Sequence, residues 1–306
     1  MMGDRQVSVP DGILPVNKPA GFTSHDVTAK LRGILHVRRI GHTGTLDPMA
    51  TGVLPVAIGQ GTRLVSMLTE KQKAYEAVLL LGITTDTQDS TGTVLKEAPV
   101  EYDEETILRT IGSFAGEQMQ IPPMYSAIRQ NGKRLYELAR EGITVEREAR
   151  PVTFYEIRAE RIELPRVYLT VSCSKGTYIR TLCHDIGERL GCGGCMEGLT
   201  RIRSGEFTLS DCHTLSEIEE AVHNGTLSDM ILSPEQVLAS FPAMHALEEG
   251  RKLLENGNPL PEELLTEPFR EGWGRMYTHD GTFVGIYAWN GQKQKYFPVT
   301  MFYQRS

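Results

Sequence analysis

The sequence predicts an α+β fold: a mixed sheet with flanking helices, followed by a small C-terminal β-barrel. Three observations carry this. Strand and helix patterns alternate along the first 230 residues without the regular strand–helix–strand repeat of a doubly wound sheet. Near Ser233-Pro234 the texture changes, and the last seventy residues or so read mostly as short strands. Hydrophobic residues make up 40% of 306 and charged residues 23%, enough apolar mass for a full core beside a small second unit. The expected division is therefore 1–232 and 233–306.

Residues 12–18 read as a short strand ending in the turn Pro19-Ala20-Gly21, and Ser24 as the cap of a helix running to about Leu35. Val27, Leu31, Ile34 and Leu35 supply its apolar stripe. Residues 53–58 form a continuous apolar strand, and 62–68 a short helix. In 73–81 the alternation of Tyr75, Ala77, Leu79 and Leu81 puts all four on one face. Residues 82–93 are polar and threonine-rich, hence a surface loop. Asp103 caps a helix to about Ile111, with Glu104 and Glu105 in the first turn, where the helix dipole favours acids.

Pro122-Pro123 is a hard break. Residues 124–150 follow as a polar, cationic stretch with one short helix near 134–140. Segments 152–164 and 167–173 read as paired strands. A helix opens at Thr177-Tyr178-Ile179-Arg180, buries Ile179, Leu182, Cys183, Ile186 and Leu190, and stops at Gly191. Asp185 and Arg189 read as an i,i+4 pair on its wet side. Residues 196–203 are strand-like. Beyond Phe241 a Glu/Leu-rich helix to Glu255 precedes strands at 275–277, 282–289 and 295–302, with Asp280-Gly281 marking a hairpin.

No apolar run approaches the ~18 residues of a membrane span, and the start lacks a signal-peptide pattern, so a cytoplasmic address is expected. Five cysteines do not suggest a disulfide framework. Cys192-Gly193-Gly194-Cys195, without a second matched pair, reads as a glycine turn rather than a metal or redox site, although His184 and His213 lie not far off. Net charge is −7, which argues against a polyanion ligand until the charges are mapped. Lys30, Arg32, Arg38 and Arg39 occur in 27–46 with no acid among them, and six cations against four acids in 128–150. Local potential, not the sum, steers a polyanion.

The most informative string is Gly41-His42-Thr43-Gly44-Thr45-Leu46-Asp47-Pro48-Met49-Ala50-Thr51-Gly52-Val53-Leu54. Glycines and threonines allow a sharp loop, and Pro48 keeps Asp47 extended. The result is a single carboxylate on a prepared loop just before an apolar strand. This string resembles the catalytic motif of the TruB-type pseudouridine synthases, which act on the TΨC loop of tRNA. Four further blocks extend the resemblance over about residues 12–205. They are Asn17-Lys18-Pro19-Ala20-Gly21-Phe22-Thr23-Ser24; Lys73-Ala74-Tyr75-Glu76; Pro122 to Ala127 with Asn131 to Tyr136; and Ser174-Lys175-Gly176-Thr177-Tyr178-Ile179-Arg180. The tail from Phe241 is similar to the PUA-like RNA-binding domain of these enzymes.

The resemblance implies that uridine 55 of tRNA is isomerised to pseudouridine without metal or cofactor. It makes Asp47 the nucleophile and Arg180 the cation that holds it ionised and aimed. Tyr75 would stack on the flipped base and help with the C5 proton. His42 would fill the vacated stack, Tyr178 and Leu199 would line the uridine pocket, and Lys18 and Pro19 would brace the loop. The insertion 124–150 would grip the T-arm of a tRNA bound by a monomer. Cys195, often a histidine in the family, and a 196–201 segment less basic than usual are departures beside the pocket. Two other readings use the same residues. A guide-RNA-dependent, dyskerin-like synthase would lack the insertion, and a tRNA-binding or folding module would not need Asp47, Tyr75 and Arg180 together.

Overall fold

The computed structural model describes residues 9–303. Strand β1 (Gly12–Lys18) leads through a turn to α1 (Ser24–Leu35), then β2 (Ile40–His42) and β3 (Thr51–Ile58). Thr23, not Ser24, is the cap of α1. Its hydroxyl accepts from the Asp26 N–H while the Asp26 carboxylate accepts from the Thr23 N–H. This frees Ser24 for another task, described below. A 3₁₀ turn at Gly59–Leu64 and the short α2 (Val65–Thr69) occupy the place expected for one helix.

Next come β4 (Lys73–Leu81), the hairpin β5 (Ile83–Thr85) and β6 (Val94–Glu97), α3 (Glu104–Gly112) and β7 (Gly116–Gln120). The hairpin corrects the reading of 82–93 as a plain surface loop. Met196 donates its N–H to the Gln88 carbonyl at 3.0 Å and accepts from Ser90 N–H at 2.9 Å, so the tip is tied to the main sheet. The cationic stretch holds the small hairpin β8 (Arg129–Gln130) and β9 (Lys133–Arg134) and then α4 (Leu135–Arg140). Strands β10 (Arg150–Glu163) and β11 (Arg166–Cys173) pair as expected and lead to α5 (Ile179–Leu190), which Gly191 ends in the left-handed region. Asp185 is half-buried, and no ion pair joins it to Arg189 among the described residues. Burial raises its carboxyl pKa, and Arg189 turns instead to the Ser113 hydroxyl and the Phe114 ring.

Strand β12 (Gly194–Ser204), β13 (Phe207–Thr208) and α6 (Leu215–Asn224) follow, and then α7 (Pro234–Val237). The nine-stranded sheet runs β1-β3-β12-β4-β11-β10-β7, with β2 on β3 and β13 on β12. Among these pairs only β3–β12 is parallel, so two antiparallel halves meet at that seam. On one face Tyr75, Ala77, Leu79 and Leu81 pack with the apolar side of α5, as the alternation requires. On β3, Leu54, Val56 and Ile58 meet α1 and α6. The turn at Cys192 is glycine-rich for a packing reason: Gly193 is at φ +80, where a Cβ would stand 2.3 Å from Thr84 Oγ1, and one on Gly194 would stand 2.8 Å from the Cys183 carbonyl oxygen.

The tail folds as β14 (Ala243–His245), α8 (Arg251–Glu255), β15 (Leu260–Pro261), β16 (Trp273–Tyr277), β17 (Phe283–Asn290) and β18 (Lys295–Met301). The long helix expected after Phe241 is reduced to α8, because 243–245 joins the sheet in parallel beside β16. Five strands, in the order β14-β16-β17-β18-β15, curl into a half-barrel of PUA-like form around Met244, Leu254, Leu260, Met276, Val284, Tyr287 and Tyr296.

Candidate active site

The site lies where the two sheet halves meet, at the loop between β2 and β3. The N-terminal motif holds that loop by its backbone. The Lys18 ammonium is fully buried and donates to the carbonyls of Pro19 at 2.9 Å, Phe22 at 2.5 Å and Pro48 at 3.0 Å. Gly21 N–H donates to the same Pro48 carbonyl at 2.9 Å, and Leu46 N–H donates to Ser24 Oγ at 2.9 Å. Asp47 therefore stands between two fastened residues. Burial lowers the Lys18 pKa from 10.5 to about 8, against the opposing pull of Asp47.

Arg180, on the first turn of α5, meets Asp47 in a two-pronged pair. Nε donates to Oδ2 at 2.9 Å and Nη2 to Oδ1 at 3.1 Å. Its remaining donors reach the Thr87 carbonyl at 3.0 Å and the Tyr125 carbonyl at 2.8 Å, with Asp89 Oδ2 at 3.7 Å from Nη1. The guanidinium thus has acceptors on every side, as a buried one requires. The Arg180 side chain is 5% exposed and that of Asp47 36%. The carboxylate is gripped from behind and open in front. Asp89 escaped the sequence reading because it sits in the stretch that reads as a surface loop. Its only local signal is the threonine-rich turn, whose hydroxyls from Thr87 and Thr91 donate to its Oδ1.

Tyr75 is on β4 beneath the loop, 7% exposed among Leu46, Ala50 and Ala77. Burial raises its phenol pKa, while nearby Arg201 pulls it down. Leu199, half-buried on β12, packs against the same cluster and pairs with Ala77 across the ladder. Tyr178, the residue before α5, is locked by Gln120: its N–H donates to Oε1 at 2.8 Å and its carbonyl accepts from Nε2 at 3.0 Å. His42 ends β2 rather than sitting on an open loop, half-buried, with Nδ1 enclosed and unpartnered. Burial first, then Arg201, lowers its pKa. Pro19 lies in the turn that Lys18 closes.

The structure therefore gathers Asp47, Arg180, Tyr75, Lys18 and Pro19 around one loop, with Leu199 in the adjoining apolar cluster. Tyr178 caps the start of α5, two residues before Arg180, and His42 leads into the loop. It also places Arg201 there, in the segment that reads as less basic than usual. The side chain is 1% exposed, and Nε donates to the Val53 carbonyl at 2.7 Å. No sequence signal marks it, since one arginine in a strand pattern has no local signature. Gly52 reveals its neighbour better: at φ +101, a Cβ there would lie 2.2 Å from the Arg201 carbonyl, so the parallel seam needs glycine.

The mixed sheet thus carries, on its β2–β3 loop, a carboxylate held by an arginine from α5. The chain belongs to the TruB family: the model of the TruB family pseudouridylate synthase N-terminal domain matches residues 32–179, and that of the tRNA pseudouridylate synthase B C-terminal domain residues 180–239. It is 47% identical to the tRNA pseudouridine synthase B of Lachnoclostridium phytofermentans, over 95% of this chain and 99% of the relative. The corresponding protein of Geobacter sulfurreducens is 45% identical over 81% and 82%. Among solved structures, a chain of an H/ACA RNP bound to a substrate RNA containing 2′-deoxyuridine superposes with a TM-score of 0.72 at 26% identity. That match covers 98% of this chain and 86% of that one.

Proposed function

We propose that this chain isomerises uridine 55 in the T-arm of tRNA to pseudouridine, acting as a monomer in the cytoplasm and without a cofactor. The observation that carries the reading is the two-pronged Asp47–Arg180 pair on the family's loop. The reaction breaks the bond from C1′ to N1 and forms one from C1′ to C5. The C5 proton leaves and N1 gains one, so atoms and charge balance with no oxidant, reductant or metal. Asp47 supplies the nucleophile, open in front and oriented from behind. Tyr75 and Leu199 face the turned-out base with Tyr178, and His42 fills the gap in the stack. Lys18 and Pro19 keep the loop in shape.

The tRNA substrate is the one named for the bacterial relatives, which match over most of their length. A guide-RNA-dependent activity would not need a tRNA-gripping insertion. The fold neighbours of that kind are 26% identical, and residues 124–150 supply a hairpin and helix with Arg129, Lys133, Arg134 and Arg140 near the surface for direct grip. The test is tritium release from tRNA transcribed with C5-labelled uridine. The wild-type chain should release one tritium per tRNA, and Asp47→Asn none while still binding tRNA. Release by the Asn variant in a single turnover would remove Asp47 from its role; no release by the wild type would sink the function.

A further inference from the structure

Arg201 is among the largest fully buried side chains, and it takes part in no ion pair among the described residues. Leaving a buried guanidinium without a carboxylate is expensive, and an apolar residue of similar volume would often serve stability as well or better. Its partners suggest what it does instead. Nη2 donates to the Gly44 carbonyl at 3.2 Å and Nη1 to that of Thr45 at 3.5 Å, both on the limb of the loop that rises to Asp47. Nε donates to Val53 at 2.7 Å, on the limb that leaves it. Tyr75 lies beside the same guanidinium, because Arg201 and Tyr75 are register partners across β12 and β4. Lys18 and Ser24 fasten the tip of the loop, whereas Arg201 fastens its base.

We infer that Arg201 is a positioning residue of the isomerisation, one guanidinium clamping both limbs of the Asp47 loop and setting the environment of its register partner Tyr75. The inference rests on the function proposed above. Orientation of this kind matters because a displacement of about 1 Å in a reacting group can slow chemistry roughly a hundredfold.

Two measurements on full-length protein test this. In single-turnover tritium release, Arg201→Met should lower the rate roughly a hundredfold with tRNA affinity nearly unchanged, and Arg201→Lys should recover part of the loss. In protein carrying tyrosine labelled with ¹³C at Cζ, the Tyr75 resonance, assigned by its loss in Tyr75→Phe, should move in Arg201→Met. A generally structural residue would not single out that resonance. A folded Arg201→Met with a wild-type rate, or with the Tyr75 signal unmoved, overturns the inference. If Met prevents folding, Arg201→Lys is read by the same two criteria. Absence of release by the wild type would count against the proposed function instead, and the resonance would still judge Arg201.

Discussion

At the scale of single residues, four cations lie buried about the Asp47 loop: Lys18, Lys73, Arg180 and Arg201, each no more than 6% exposed. Of these, Arg180 is held by carboxylates, and the other three rely on carbonyls. Desolvation lowers both lysines from 10.5 to about 8. Between pH 8 and 10.5 an unfolded chain therefore keeps protons that the folded one has shed. Folding loses nothing there and gains stability as pH rises through that window. Activity should do the opposite, since a neutral Lys18 amine has two N–H donors for three carbonyls and lets go of the Pro48 turn. The single-turnover rate is expected to fall above about pH 8 while the melting temperature holds or rises. A rate that stays flat from pH 7 to 9.5 would mean Lys18 does not brace the loop in its charged form.

Among elements, those with a period strong enough to decide them were legible: β4 from its alternating apolar face, α5 from its stripe and terminal glycine. The β5–β6 hairpin was not, because threonines at a turn look like loop until the partner strand β12 is known. Nor was the fate of 243–245, where pairing with β16 overrode a helix-forming composition. The site followed the same rule. Asp47 was visible in its own loop, and Arg180, 133 residues away, only through family resemblance. Arg201 had neither kind of signal. The insertion allows an element-scale prediction. Lys133 pairs with Glu141 at 3.0 Å, but both side chains are about half exposed, so the pair contributes ~0.2–1 kcal/mol and yields to a phosphate. Arg134 is likewise exposed, beside the Tyr136 ring. Replacing Lys133 and Arg134 by Ala should flatten the slope of log affinity against log salt by about 0.9 for each duplex phosphate that these two cations neutralise. A filter-binding series with an unchanged slope would show that this hairpin is not the clamp.

For the whole molecule, the question is whether the half-barrel is a hinged appendage or part of the catalytic body. The sequence suggests a boundary at 232, and we propose that 233–306 is a distinct RNA-binding unit, but its packing ties it firmly to the first. Ile13, Val53, Ala57 and Leu64 share one buried cluster with Leu238, Ile286 and Phe302. The first three are residues of β1 and β3 whose side chains point away from α1, so the tail covers the other face of the strands that flank the Asp47 loop. Arg63 donates to the Met301 carbonyl. The face that β1 and β3 offer would otherwise be bare apolar sheet. The two units should therefore melt together. Ile286 is fully buried, and Ile286→Ala should cost about 2–5 kcal/mol, lowering the single melting transition by on the order of 10 °C. Scanning calorimetry of the variant checks this. Two separated transitions, with the one belonging to the nine-stranded sheet unmoved, would show that the half-barrel contributes nothing to the stability of the sheet that carries Asp47.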